Sequence, residues 1–98
     1  MDNKVKVAVV GAGFIANIHL ESYTRFVHDA KVAAIYGRNT ERAQKLADEY
    51  GVERVYDDID RLLDECEVDV VDICVPNYMH HDVCMKAAAK GKHVICEK

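Results

Sequence analysis

A chain of 98 residues, half of them apolar and 31% charged, has room for one compact domain with its own core and not for two. Its formal net charge of −4 argues against a general nucleic-acid binder, which needs a basic surface to neutralise phosphates. No apolar stretch approaches the roughly 20 residues that span a bilayer. Met1-Asp2-Asn3-Lys4 also lacks the basic start and apolar middle of a signal peptide, so a cytoplasmic protein without membrane or nucleic-acid partners is expected.

Two periodicities alternate along the chain. Val5-Lys6-Val7-Ala8-Val9-Val10 is a β-branched run that stops at Gly11 and reads as a buried strand. A helix is expected from Phe14 to about His28, with Ile15, Ile18 and Phe26 at roughly helical spacing. A second strand, Val32 to Tyr36, ends at Gly37. Asn39 can cap a helix over Thr40 to Tyr50, whose Ala43, Leu46, Ala47 and Tyr50 form one stripe before Gly51 ends it.

The second half repeats the pattern. Arg54-Val55-Tyr56 is a short strand, and Asp58 can cap a helix carrying Ile59, Leu62, Leu63 and Cys66. Val68 to Val75 is the next strand, broken at Pro76. A helix from about His81 to Lys90 follows, with Val83, Ala87 and Ala88 inward, and His93 to Cys96 is the last strand. Strand–helix alternation with short connections implies parallel strands, right-handed crossovers and helices on both faces. The expected fold is therefore an α/β doubly wound parallel sheet of five strands in the order 3-2-1-4-5. A complete dinucleotide-binding sheet of this type has six, which makes residues 1–98 one domain, incomplete at its C-terminal edge.

Four cysteines, Cys66, Cys74, Cys84 and Cys96, form no CxxC pair, and no histidine pair stands beside them at zinc spacing. Cys74 and Cys96 lie in apolar runs and are expected to behave as small hydrophobes, with no metal bound. The acidic cluster at Asp57, Asp58, Asp60, Asp64 and Glu65 reads as a solvated helix start and face.

The chemistry gathers at strand ends. Gly11-Ala12-Gly13-Phe14-Ile15-Ala16 matches G-x-G-x-x-G/A between a strand and a helix. In such a loop the first glycine permits a tight turn, the second lets the backbone approach a pyrophosphate, and the third small residue lets the helix pack closely. Unpaired N–H groups and the positive end of the helix dipole then face the phosphates. The second strand ends in Tyr36-Gly37-Arg38-Asn39, where NAD enzymes usually carry an acidic residue. Arg38 instead offers a planar, permanently charged partner for a 2′-phosphate, which favours NADP over NAD. Pro76, Asn77 and, at the last strand, Lys98 stand at other strand ends. All fall on the rim where an open parallel sheet binds its ligands.

Taken together, Gly11 to Ala16 with His19, Val75-Pro76-Asn77 with His80, and Ala88 through Gly91 to Glu97-Lys98 resemble the glucose–fructose oxidoreductase/inositol dehydrogenase (Gfo/Idh/MocA) family. The resemblance covers the whole chain. It implies a nicotinamide-dependent oxidoreductase acting on a sugar, cyclitol or related small molecule, and a homo-oligomer in the full-length protein. By the same resemblance the first loop, including Phe14 and Ile15, grips the pyrophosphate, while Arg38 and Asn39 face the adenosine ribose. Pro76, Asn77 and His80 line the path to the nicotinamide. Glu97 and Lys98 match the start of the family's E-K-P motif, whose lysine reaches nicotinamide and substrate and is the expected catalytic group. The proline of that motif and the family's second domain, which brings an Asp and a His, are not in this sequence, so the chain alone is expected to be inactive.

His19 is expected either to help build the cofactor pocket or simply to pack. His28 and His81 read as solvated, and His93 as structural. Two other classes remain open: a non-catalytic NAD(P)-sensing module, and a methyltransferase, which does not account for the proline–asparagine and glutamate–lysine strand ends.

Overall fold

A computed structural model describes residues 4–75 and 77–96. Along the chain these form β1 (Val5–Val10), α1 (Phe14–Phe26), β2 (Ala30–Tyr36), α2 (Thr40–Tyr50) and β3 (Arg54–Tyr56). They continue as α3 (Ile59–Glu65), β4 (Val70–Ile73), α4 (Asn77–Ala89) and β5 (His93–Cys96). Every strand pairing is parallel, and the sheet order is β3-β2-β1-β4-β5. The order reverses between β1 and β4, as expected for a dinucleotide-binding sheet.

Two apolar layers flank the sheet. Val7 and Val9 face Ala16 and Leu20 of α1 and Ala43 and Ala47 of α2. Ala8 and Val10 face the other way, into a cluster with Ile59, Leu62 and Leu63 of α3 and Val83 and Ala87 of α4. A strand stretch covered on both faces needs an apolar residue at every position, so β1 from Val7 to Val10 reads as an unbroken run rather than an alternation. Two helices cap themselves: Asn39 accepts from the N–H of Arg42 at 3.1 Å, and Asp58 accepts from the N–H groups of Asp60 and Arg61. The acidic cluster is exposed, and Lys86 of α4 and Lys90 just after it pair with Asp60 and Asp64 of α3. Among the described residues no helix is long and apolar enough to cross a membrane.

Several boundaries and faces differ from the sequence reading. Helix α1 ends at Phe26 rather than His28, β2 begins at Ala30, and β4 is confined to Val70–Ile73. The buried face of α1 is Ala16 and Leu20, whereas Ile15 and Ile18 are exposed; the Phe26 side chain lies outside the description. Periodicity picks out a stripe but cannot choose between two apolar stripes, and close helix–sheet packing selects the one with the small residue. Helix α4 begins at Asn77, four residues earlier than expected. A proline suits a helix entry as well as a strand end, because the N–H it lacks would have no partner there. Ala88 is exposed, not inward.

The turn out of β1 is sterically demanding. Gly11 has φ +133°, and a Cβ there would stand 2.6 Å from the Cys74 carbonyl oxygen. Gly13 has φ −92°, and a Cβ there would meet nothing within 4 Å. Gly11→Ala should therefore cost about 2 kcal/mol or more and lower Tm by at least about 8 °C, while Gly13→Ala should stay within about 2 °C of wild type. Thermal unfolding followed by circular dichroism checks both.

Candidate functional site

Where β1 and β4 part company, a cleft of about 470 Å³ opens beyond the strand ends. Its floor is the loop from Gly11 to Ile15. Tyr36, Arg38, Asn39 and Arg42 form one side, and Cys74, Val75 and Met79 the other. The loop is held from both sides, because the Gly11 N–H donates to Tyr36 O at 2.7 Å and the Cys74 N–H donates to Val10 O at 2.8 Å.

The start of α1 differs electrically from the starts of α2 and α3. Its cap residue, Gly13, has no side chain to bond the first-turn N–H groups, and no acidic residue stands in that turn. Helices α2 and α3 each have a side-chain cap and an acidic first turn. The orphan N–H groups and the positive dipole end of α1 are thus offered to the cleft, which suits an anion. Ala16, wholly buried, lets this helix lie close on the sheet. Among the described residues no carboxylate lines the cleft, and two guanidinium groups, Arg38 and Arg42, do. The sequence reading found Arg38 and missed Arg42, which on an exposed helix turn looks like any solvated cation. Asn39 lines the cleft, but its side-chain oxygen already caps α2.

On the opposite side, His80 of α4 ties three segments together. Its Nε2 lies 2.6 Å from the Val75 carbonyl oxygen, and its Nδ1 3.1 Å from Cys96 Sγ. A carbonyl only accepts, so Nε2 carries a proton toward Val75 while Nδ1 faces the Cys96 thiol. His80 is not among the residues that line the cleft; Met79 is. Cys96 is exposed, contrary to its expected place in an apolar interior. Pro76, Glu97 and Lys98 lie outside the described residues, as does the side chain of Asn77. His28, His81 and His93 are exposed.

Beneath the cleft lies a group that the sequence reading passed over. Asp72 is 1% exposed and is the buried charged side chain among the described residues. Its Oδ2 accepts from the Tyr23 hydroxyl at 2.8 Å and lies 2.6 Å from His19 Nδ1, while Cys74 Sγ stands 3.7 Å from Oδ1. His19 therefore packs toward β4 rather than lining the cleft, and Cys74 has polar neighbours as well as apolar ones. Among the described residues, no buried side-chain nitrogen or oxygen lacks a hydrogen-bond partner.

The chain is similar to known proteins in sequence and fold. The Gfo/Idh/MocA family model, described as an oxidoreductase family with an NAD-binding Rossmann fold, matches residues 5–98. A D-glucoside 3-dehydrogenase from Escherichia coli (strain K12) is 36% identical over 96% of this chain and 27% of its own length. An inositol 2-dehydrogenase from Arthrobacter sp. (strain FB24) is 32% identical over all of this chain and 29% of its own length. Among solved structures, scyllo-inositol dehydrogenase from Lactobacillus casei with bound NAD(H) and scyllo-inositol superposes with a TM-score of 0.92 at 29% identity. That match covers 97% of this chain and 28% of that one. The chain thus spans less than a third of the length of these relatives.

Tyr23 gives the buried network a signature in solution. Burial, and next its hydrogen bond to Asp72, push its hydroxyl well above the usual tyrosine range. The unfolded chain releases that proton near pH 10, which the native state still holds, so native stability falls as pH rises past about 10. Urea unfolding at pH 9 and pH 11 should show a larger loss of stability for wild type than for Tyr23→Phe. Equal losses would contradict the assignment.

Proposed function

The chain belongs to the Gfo/Idh/MocA oxidoreductase family, and from that premise we propose that it is the dinucleotide-holding part of a nicotinamide-dependent dehydrogenase. One observation carries the reading: the uncapped start of α1, with Gly11 and Gly13 before it, opens into a cleft at the reversal of strand order. The N–H groups of that first turn would hold the pyrophosphate. Arg38 and Arg42 would flank the adenosine ribose, and Cys74, Val75 and Met79 would bear against the nicotinamide half. Pro76 and Asn77, at the start of α4, and Glu97 and Lys98, after β5, complete the nicotinamide side in this proposal. His80 supports it from behind by joining Val75 to Cys96.

When bound, the dinucleotide supplies a hydride acceptor or donor. Lys98 would place a positive charge and a hydrogen-bond donor beside the substrate oxygen, favouring charge that develops there. The substrate class follows the relatives, whose names include glucoside and inositol dehydrogenases: a sugar, cyclitol or related hydroxyl or carbonyl compound. Most substrate contacts would come from the length of the relatives that this chain does not span. The whole enzyme is proposed to be a cytoplasmic homo-oligomer.

The finer choice is NADP over NAD. Two arginines and, among the described lining residues, no carboxylate suit a 2′-phosphate at the ribose end, which accepts charge-assisted hydrogen bonds from a guanidinium. Titration calorimetry with NADPH and NADH should find NADPH bound more tightly. Arg38→Ala should weaken NADPH by about tenfold or more and NADH by less than about threefold. Equal losses would refute the NADP preference, and failure of either dinucleotide to bind would refute the dinucleotide site.

A further inference from the structure

A carboxylate removed from water is retained only where donors converge on it. Asp72 has such donors from both sides of the strand-order reversal. On β4 it stands beside Val9 of β1 and Ile95 of β5 and faces α1. Two of its donors, His19 Nδ1 and the Tyr23 hydroxyl, sit one helical turn apart on α1, and both reach Oδ2. Because an ionised carboxylate only accepts, His19 Nδ1 carries a proton in this pair. The third neighbour, Cys74, lies two residues further along the chain, at the cleft wall, with its carbonyl against Gly11. The apolar cluster around α1 is built mainly on Val7, Val9 and Ile35 of β1 and β2 with Ala43 and Ala47 of α2, and from the β4 side only the partly buried Val70 and Cys74 pack against it.

We infer that Asp72 is a positioning residue for the dinucleotide. By binding His19 and Tyr23 it fixes the start of α1, on one lip of the cleft, relative to Cys74 and Val75 on the other. Apolar contacts are non-directional, whereas hydrogen bonds to a buried carboxylate are short, directional and strengthened by the low local dielectric. A ligand that touches both lips depends on their separation. A ligand that touches only α1 and the end of β2 does not. The inference rests on the dinucleotide reading above, and it assigns a role to three side chains that never meet the ligand.

The discriminating comparison is NADH, which spans both lips, against ADP, which has the adenosine and the diphosphate but no nicotinamide half. In the purified chain, Asp72→Asn should weaken NADH binding by about tenfold while ADP affinity stays within about twofold of wild type. Tyr23→Phe removes one hydroxyl and no bulk, and should show the same split at about threefold. It carries the test alone should Asp72→Asn fail to fold. Parallel loss of ADP and NADH would mean general loosening of the domain and would overturn the inference, as would unchanged NADH affinity. A wild-type chain that binds ADP but not NADH would overturn the dinucleotide reading itself, and this inference with it.

Discussion

The backbones of Gly11 and Cys74 meet where β1 and β4 end side by side, and the cleft exists because of that contact. The two strands are neighbours in the sheet but far apart in the chain, so the segments leaving them diverge: one turns into α1, the other toward α4. The turn from β1 must clear the Cys74 carbonyl, and only a residue without Cβ does so at φ +133°. With that clearance the start of α1 lies over the end of the sheet with its N–H groups toward the opening. A side chain at position 11 would push the loop away from β4 and take the helix terminus with it.

Electrostatics then divides the cleft. At its centre is a helix terminus left without a cap or a neighbouring acid, at one end are Arg38 and Arg42, and at the other are the apolar Val75 and Met79. An elongated ligand with a charged middle, a charged or polar end and a flatter, less polar end fits that division. Asp72, the buried carboxylate among the described residues, is not among the residues that line the cleft and is occupied by donors from α1, so it holds the helix from outside the opening.

How much of this can be read from residue order depends on how local each feature is. The caps at Asn39 and Asp58, the stripe of Ala43 and Ala47, the apolar run of β1 and the glycine loop are set by neighbours within about one or two turns, and each was legible. The strand order followed from the alternation of strands and helices together with the sheet type that the glycine loop indicates. Asp72 was not legible: in Val70-Val71-Asp72-Ile73 it looks like a solvent-facing residue in a half-buried strand, and its partners are 49 and 53 positions away. Cys74 and Cys96 were placed by hydrophobicity, whereas their neighbours His19 and His80 come from other elements. Arg42 faces the cleft only because Asn39 starts α2 where it does. The early start of α4 turned on whether Pro76 ends a strand or opens a helix, and proline chemistry permits both.

The claim that everything else depends on is that the first-turn N–H groups of α1 receive the diphosphate. Backbone amide NMR of the 15N-labelled chain during titration with ADP reads those groups one by one. The amides of Gly13, Phe14 and Ile15 should move first and furthest, ahead of those at the starts of α2 and α3, which their own side chains already cap. Saturable binding that leaves Gly13 to Ile15 unmoved, with the largest changes elsewhere on the sheet, would contradict the account.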